Sequence, residues 1–336
     1  MKTLSPKPRV GHKHVQCLPA PWSRKGFLLV FSAALVIISC LLFPYAWSLQ
    51  SQQPSSASTA PGTAAVASKS STILITAWLK DGTTAGLSTS DIEIKADGKP
   101  VPVQEVVGGA PLHYCLLFDS SGSQRDRFKL QQDEATELLS KVVKAGSDHG
   151  MLVDFSDNYY LDGEGTKPQT FANRIAVQRP EGRGTALYDA VVASANHMSE
   201  SSPDRGPRVM FIFSHGEDNE SAMTLDRAVQ FVMKAGIRLY VIGQLPTKDP
   251  AYLMPVKAAK TLRQLAERTG GKAYFREQKD VGKAVADIAD ELTNLFAVTF
   301  TLPGQEKDGQ LHKLEVRSIK KDVSIRAPDR YYAPQP

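Results

Sequence analysis

The sequence predicts an α/β domain built on a doubly wound, mostly parallel sheet. From residue 111 apolar runs alternate with amphipathic stretches, the pattern of a sheet covered by helices on both faces. Two of the runs, Leu112–Phe118 and Val209–Phe213, are apolar almost throughout, as parallel strands buried on both sides are. The composition is that of an ordinary globular chain, with 42% hydrophobic, 22% charged and 8% aromatic positions in 336 residues. That length suffices for one large or two modest domains with real cores.

Residues 1–25 form a basic tail. Lys2, Lys7, Arg9, Lys13, Arg24 and Lys25 carry it, and no acid occurs before residue 50. The formal charge of +5 is therefore concentrated at this end, and the remainder is close to neutral. Such a distribution gives no footprint for nucleic acid. From Gly26 to Phe43 no charged residue occurs, a length at the lower limit for a membrane-spanning helix. Segment 26–48 is thus expected to be a signal-anchor or signal peptide, with the basic tail cytoplasmic and the bulk of the chain translocated. A retained anchor is the first reading. Cleavage after Ala46-Trp47-Ser48, releasing the chain from Leu49, is the second. Lipidation of Cys40 in Ile37-Ile38-Ser39-Cys40 is the third. A mean hydropathy of −0.24 excludes a polytopic membrane protein, and three cysteines exclude a disulfide-stapled scaffold. Cys115, inside an apolar run, reads as a buried small hydrophobe.

Residues 49–70, rich in Ser, Ala, Gln, Thr and Pro, read as a flexible linker. Residues 71–110 read as a β lead-in with strands Thr72–Leu79 and Ile92–Ile94 and a turn at Asp97-Gly98-Lys99. The main domain, 111–297, is expected to place strands at Leu112–Phe118, Met151–Phe155, Val209–Phe213, Leu239–Ile242 and Ala273–Phe275. Helices are expected at Phe128–Lys144, Thr185–Met198, Leu225–Lys234, Lys257–Arg268 and Val281–Phe296. Residues 298–336 read as a C-terminal β extension with strands Val298–Leu302, Leu311–Ile319 and Val323–Arg326.

Ligands of such sheets bind beyond the carboxyl ends of the strands, where the strand order reverses. Directly after the first strand stands Asp119-Ser120-Ser121-Gly122-Ser123, an oxygen-rich loop of the kind that suits a hard cation. Gly182-Arg183-Gly184-Thr185-Ala186 precedes a helix and supplies a further hydroxyl. The strand Val209–Phe213 leads into Ser214-His215-Gly216-Glu217-Asp218-Asn219. In these motifs the chain resembles the von Willebrand factor type A (VWA) domain. Its flanks, Asp91-Ile92-Glu93-Ile94 with Asp97-Gly98-Lys99-Pro100 and Arg330-Tyr331-Tyr332-Ala333, resemble the VWFA-related family first catalogued in acidobacteria.

The resemblance implies a metal-ion-dependent adhesion site with Asp119, Ser121, Ser123 and Thr185 as ion-site positions, holding Mg²⁺ or another divalent cation. Where the family reads Thr-Asp-Gly this chain has Ser214-His215-Gly216. The exchange removes a carboxylate and suits Zn²⁺, Ni²⁺ or Mn²⁺ better than Mg²⁺. Glu217 and Asp218 are near enough in sequence to compensate. Loop positions such as Asp119 and Ser121 are expected, with no metal bound, to cost about 1 kcal/mol or less of stability when replaced by Ala.

The seven histidines show no metal-ligand spacing of a zinc enzyme. Gly108-Gly109 precedes a strand and so is not a dinucleotide loop, and no G-x-S-x-G elbow is present. No enzyme is expected. The expected function is a membrane-tethered, extracytoplasmic module that binds a protein partner. A metal-free scaffold in an envelope assembly is the alternative.

Overall fold

A β-rich segment opens the described chain: β1 (Ser70–Leu79), β2 (Ile92–Ala96), β3 (Lys99–Val101) and β4 (Val103–Gly108). The β2–β3 turn is tight because Asp97 and Gly98 both take positive φ, 46° and 78°, the combination that fits the twist of a two-residue hairpin. The α/β part follows with β5 (His113–Asp119), a 3₁₀ turn at Gly122–Arg127, α1 (Phe128–Val142), β6 (His149–Phe155), β7 (Tyr159–Gly165), α2 (Pro168–Val177) and α3 (Leu187–Ser201). It continues through β8 (Arg208–Ser214), α4 (Leu225–Lys234), β9 (Ile237–Gln244), α5 (Val256–Glu267), β10 (Lys272–Arg276) and α6 (Val281–Thr293). The chain then returns to strands: β11 (Leu295–Thr301), β12 (Leu311–Ser318), β13 (Val323–Arg326) and β14 (Arg330–Tyr332).

This computed structural model describes residues 70–201, 206–244, 256–276, 281–302 and 308–333. The expected basic tail, the 26–48 segment and all of the linker except Ser70 lie outside the described residues. Among the described residues no helix is long and apolar enough to cross a membrane.

The central sheet has the order β10-β9-β8-β5-β6-β7, parallel except for the antiparallel edge strand β7. Side chains alternate across it. From β5, Tyr114, Leu116 and Phe118 enter the core beneath α1, α2 and α6, while Cys115 and Leu117 enter the core beneath α3, α4 and α5. From β8, Val209, Phe211 and Phe213 go one way and Met210 and Ile212 the other. Burial on both faces is why these strands read as unbroken apolar runs.

The strands before and after the α/β part interleave. One sheet has the order β13-β1-β11-β4, another β14-β12-β2-β3. They enclose a third core containing Ile75, Ile94, Val298, Phe300 and Tyr331. Leu74 of β1 and Leu295 and Ala297 of β11 face the opposite way, into the α/β core, so the first of these sheets is packed on both sides. Arg238 of β9, fully buried, donates to the Leu74 carbonyl and to Thr76 Oγ1.

Several expected boundaries move. The helix expected at Val281–Phe296 stops at Thr293, and Leu295 already belongs to β11. The helix expected from Thr185 starts at Leu187, since Thr185 and Ala186 send their N–H groups to Asn219 Oδ1 and the Ser156 carbonyl. The strands β3, β4, β7 and β14 and the helix α2 have no counterpart among the expected elements.

Candidate ligand crevice

Strand order reverses at β5: the chain moves outward to β6 and β7, then returns to β8 on the other side. The carboxyl ends of β5 and β8 therefore lie side by side. They end in Asp119 and Ser214, and three loops meet above them: one after β5, one leading into α3 and one after β8. The first, after β5, is bound to the second by Glu181 N–H donating to the Ser120 carbonyl at 2.6 Å and by a bridge between Ser121 and Glu181. The second is bound to the third by Asn219 and Glu220, whose N–H groups donate to the Thr185 carbonyl at 3.0 and 3.2 Å.

Asp119 is the centre of this arrangement and is fully buried. Its Oδ1 accepts the Ser121 N–H at 3.0 Å. Its Oδ2 accepts from the Ser214 hydroxyl at 2.6 Å, the Gln124 amide at 3.1 Å and His215 Nδ1 at 3.0 Å. An ionised carboxylate only accepts, so Nδ1 of His215 carries the proton. The other ring nitrogen, Nε2, lies 3.1 Å from Ser123 Oγ and 3.4 Å from Glu217 Oε2. Ser121 and Ser123 join their hydroxyls at 2.9 Å. Gly216 turns the third loop at φ +85°, and a Cβ there would lie 2.6 Å from Leu262 Cγ. No other residue fits both conditions.

Burial pushes the Asp119 carboxyl up, but the hydrogen bonds and charge of His215, with those from Ser121 and Ser214, hold it below the usual carboxylate range. Burial likewise pushes the His215 imidazole down, yet Asp119 and then Glu217 outweigh it and leave the ring above its ordinary value. The two shifts share one cause, a paired charge out of water.

Of the residues expected in the site, Asp119, Ser121, Ser123 and His215 are brought into one hydrogen-bonded cluster. Thr185 lies on the adjoining loop, where its main chain joins the second loop to the third. Glu217 reaches the His215 ring, whereas Asp218 turns away: its Oδ1 accepts the Tyr188 N–H at the start of α3, at 3.3 Å, and the Ser221 hydroxyl at 2.6 Å. Burial raises its pKa. Asp189 of α3 answers by accepting the N–H groups of Met223 and Ala222. Asp218 therefore caps a helix and does not replace a ligand. Gln124 escaped the sequence reading, and Ser214 stood in its motif without a role of its own. Each is fully buried and holds Asp119, and Gln124, directly after the serine motif, is of no type or spacing that marks a site.

The divalent cation implied by the resemblance finds only part of its donor set here. The serine pair has the spacing of adjacent ligands, about 3 Å, around an octahedral cation bound at about 2.1 Å. Asp119 and His215 do not fit such an ion. Both oxygens of Asp119 are committed to protein donors, and the His215 ring edge lines the gap between Asp119 and Ser123.

A family model agrees with the fold. The family model of the von Willebrand factor type A domain matches residues 115–291. No curated protein matches the chain. Among solved structures, the conserved hypothetical protein BatB from Bacteroides thetaiotaomicron is similar at 15% identity over 54% of this chain and 97% of its own, with a TM-score of 0.43. Proximal thread matrix protein 1 from the mussel byssus, with a zinc-occupied MIDAS motif, is similar at 14% identity over 57% and 48%, with a TM-score of 0.46. A von Willebrand factor type A protein from Catenulispora acidiphila is similar at 10% identity over 79% and 73%, with a TM-score of 0.44. With the doubly wound sheet, the three crevice loops and a family match over more than half its length, this chain belongs to the von Willebrand factor type A domain family.

Proposed function

We propose that this protein is a membrane-tethered, extracytoplasmic VWA module that captures a protein partner at the crevice above β5 and β8. VWA domains commonly serve protein–protein interaction, which gives the class of function its footing. The observation that carries the site is the knitting of three loops around a buried Asp119 at the reversal of strand order, the place where open α/β sheets take their ligands. Ser123 and Glu217 stand at its solvent side and offer a hydroxyl and a carboxylate to a polar partner. The tether rests on the uncharged run Gly26–Phe43 behind Arg24-Lys25.

Cross-linked pull-down of the full-length protein from its own membranes tests the binding reading. Ser123→Ala and Glu217→Ala should each lower capture of the partner while leaving the protein folded. Equal capture by both variants and the parent would sink the crevice as the binding surface and favour the scaffold. Protease added to intact cells should digest the region after residue 70 and spare residues 1–25. Protection of the VWA region would place it on the cytoplasmic side instead.

One observation favours a second reading. Asp119, His215 and Ser123 stand in series, 3.0 and 3.1 Å apart, the order that activates a serine nucleophile. A fluorophosphonate probe would label Ser123 if that relay works. The binding reading expects no label.

A further inference from the structure

In a VWA crevice that uses a cation, the ion must offset a buried carboxylate, tie the first loop to the third, and leave one direction open. In this chain a single side chain stands where those three tasks meet. The His215 ring donates from Nδ1 to the buried Asp119, reaches Ser123 of the first loop with Nε2, and is itself part of the third loop. The edge at Nε2 then faces outward to Glu217, whose side chain is 45% exposed and only loosely held at 3.4 Å.

We propose that the His215 imidazole takes the structural place of the divalent cation, so that the crevice loops of this protein are set without metal. The proposal rests on the reading of this crevice as the working surface of the domain, but its geometry is independent of what binds there. The serines have not drifted apart: Ser121 and Ser123 remain 2.9 Å from each other. It is the ring that closes the site. A cation using both Asp119 and Ser123 would have to enter the gap that the Nδ1–Cε1–Nε2 edge lines. Swinging the ring out to admit it would break the Nδ1–H bond to Asp119, and the gap is sealed beneath by Gln124 and Ser214. Leaving buried donors unpaired in this way is unfavourable. The ring of His215 is therefore the part of this crevice that stands in the way of a cation.

The test uses the full-length protein in detergent, stripped with EDTA, and follows thermal unfolding and calorimetric heats with Mg²⁺, Mn²⁺ and Zn²⁺ up to about 1 mM, the weak end of oxygen-ligand sites. The parent protein should show no saturable heat and no shift of its melting temperature with any of the three. His215→Asp should gain a one-to-one site, with Mg²⁺ or Mn²⁺ bound about tenfold or more tighter than by the parent and a stabilisation that EDTA reverses. Should His215→Asp fail to fold, His215→Ala is read by the same criterion, since it clears the gap without adding a charge. Saturable binding by the parent would overturn the proposal. So would the absence of any metal response in the folded variant, because His215 would then not be what closes the site. Partner capture enters neither measurement, so failure of the binding reading in the pull-down leaves this result standing, and the converse holds.

Discussion

His215 and His312 make the same pair of contacts in opposite parts of the molecule. His215 spans Asp119 and Glu217 at 3.0 and 3.4 Å above the α/β sheet. His312 spans Asp97 and Asp308 at 2.7 and 3.0 Å on the β side, with its ring beside Tyr331. The difference lies in the acids. Asp119 has no exposed side-chain surface, whereas those of Asp97 and Asp308 are 33% and 51% exposed. An exposed carboxylate that loses its histidine turns to water. A buried one has no such recourse, so the same drawing of bonds carries very different weight.

Replacing the acids should expose this asymmetry most strongly. Asp119→Ala leaves His215, Ser214 and Gln124 with unanswered donors and should cost about 3 kcal/mol in urea unfolding, more than a loop position would suggest. Asp308→Ala should leave the midpoint nearly unchanged. Equal losses would mean that burial does not set the difference.

Each histidine also sits by a glycine turn, and the two turns should respond unequally. Gly216→Ala meets both a positive φ and Leu262, and should cost about 2 kcal/mol or more by the same unfolding measurement. Gly98→Ala meets positive φ in open space and should cost about 1 kcal/mol.

His215→Ala should cost about 2 kcal/mol through the unpaired Asp119, and His312→Ala should shift the midpoint much less. Both rings titrate above their ordinary value of 6.5. The stability they contribute is fully present below that pH and is lost as pH rises through their folded values. Unfolding midpoints should therefore fall as pH rises above the ordinary value of 6.5, and His215→Ala should flatten that slope more than His312→Ala. The smallest effect belongs to Ser123→Ala. Ser123 is exposed at the rim, so stability should change by about 0.5 kcal/mol or less while partner capture drops.

Much of the fold was legible because burial on both faces leaves an unmistakable record. The runs at 112–118 and 209–213 could hardly be other than central strands. The edge strand β7 left no such record: Tyr159–Gly165 is only half-buried and contains Asp162, Gly163 and Glu164. Helix α2 did carry a start signal, Pro168 in its first turn, but lacked the length of its neighbours. The overrun of α6 into β11 arose because Leu295–Phe296 continues an apolar pattern whose period changes within two residues. At the site, Asp119, Ser121 and Ser123 were legible from a short motif. The depth of Asp119 was not, because a loop position after a strand gives no hint that two further side chains close over it. Nor could spacing tell that Glu217 and Asp218, adjacent in sequence, point to different tasks.

The first described strand has a mechanical consequence. Residues Ser70–Thr76 of β1 pair with β11 and Thr76–Leu79 with β13, and Arg238 grips Leu74 and Thr76 from the central sheet. Any pull on the chain ahead of Ser70 is therefore delivered to a strand clamped by two late-coming neighbours and one buried guanidinium. The load must first work against those main-chain bonds, on the side of the fold built from its outermost segments. Asp119 and its loops are held by β5 and β8, neither of which pairs with β1, so tension on β1 reaches them through the Arg238 contact with the central sheet.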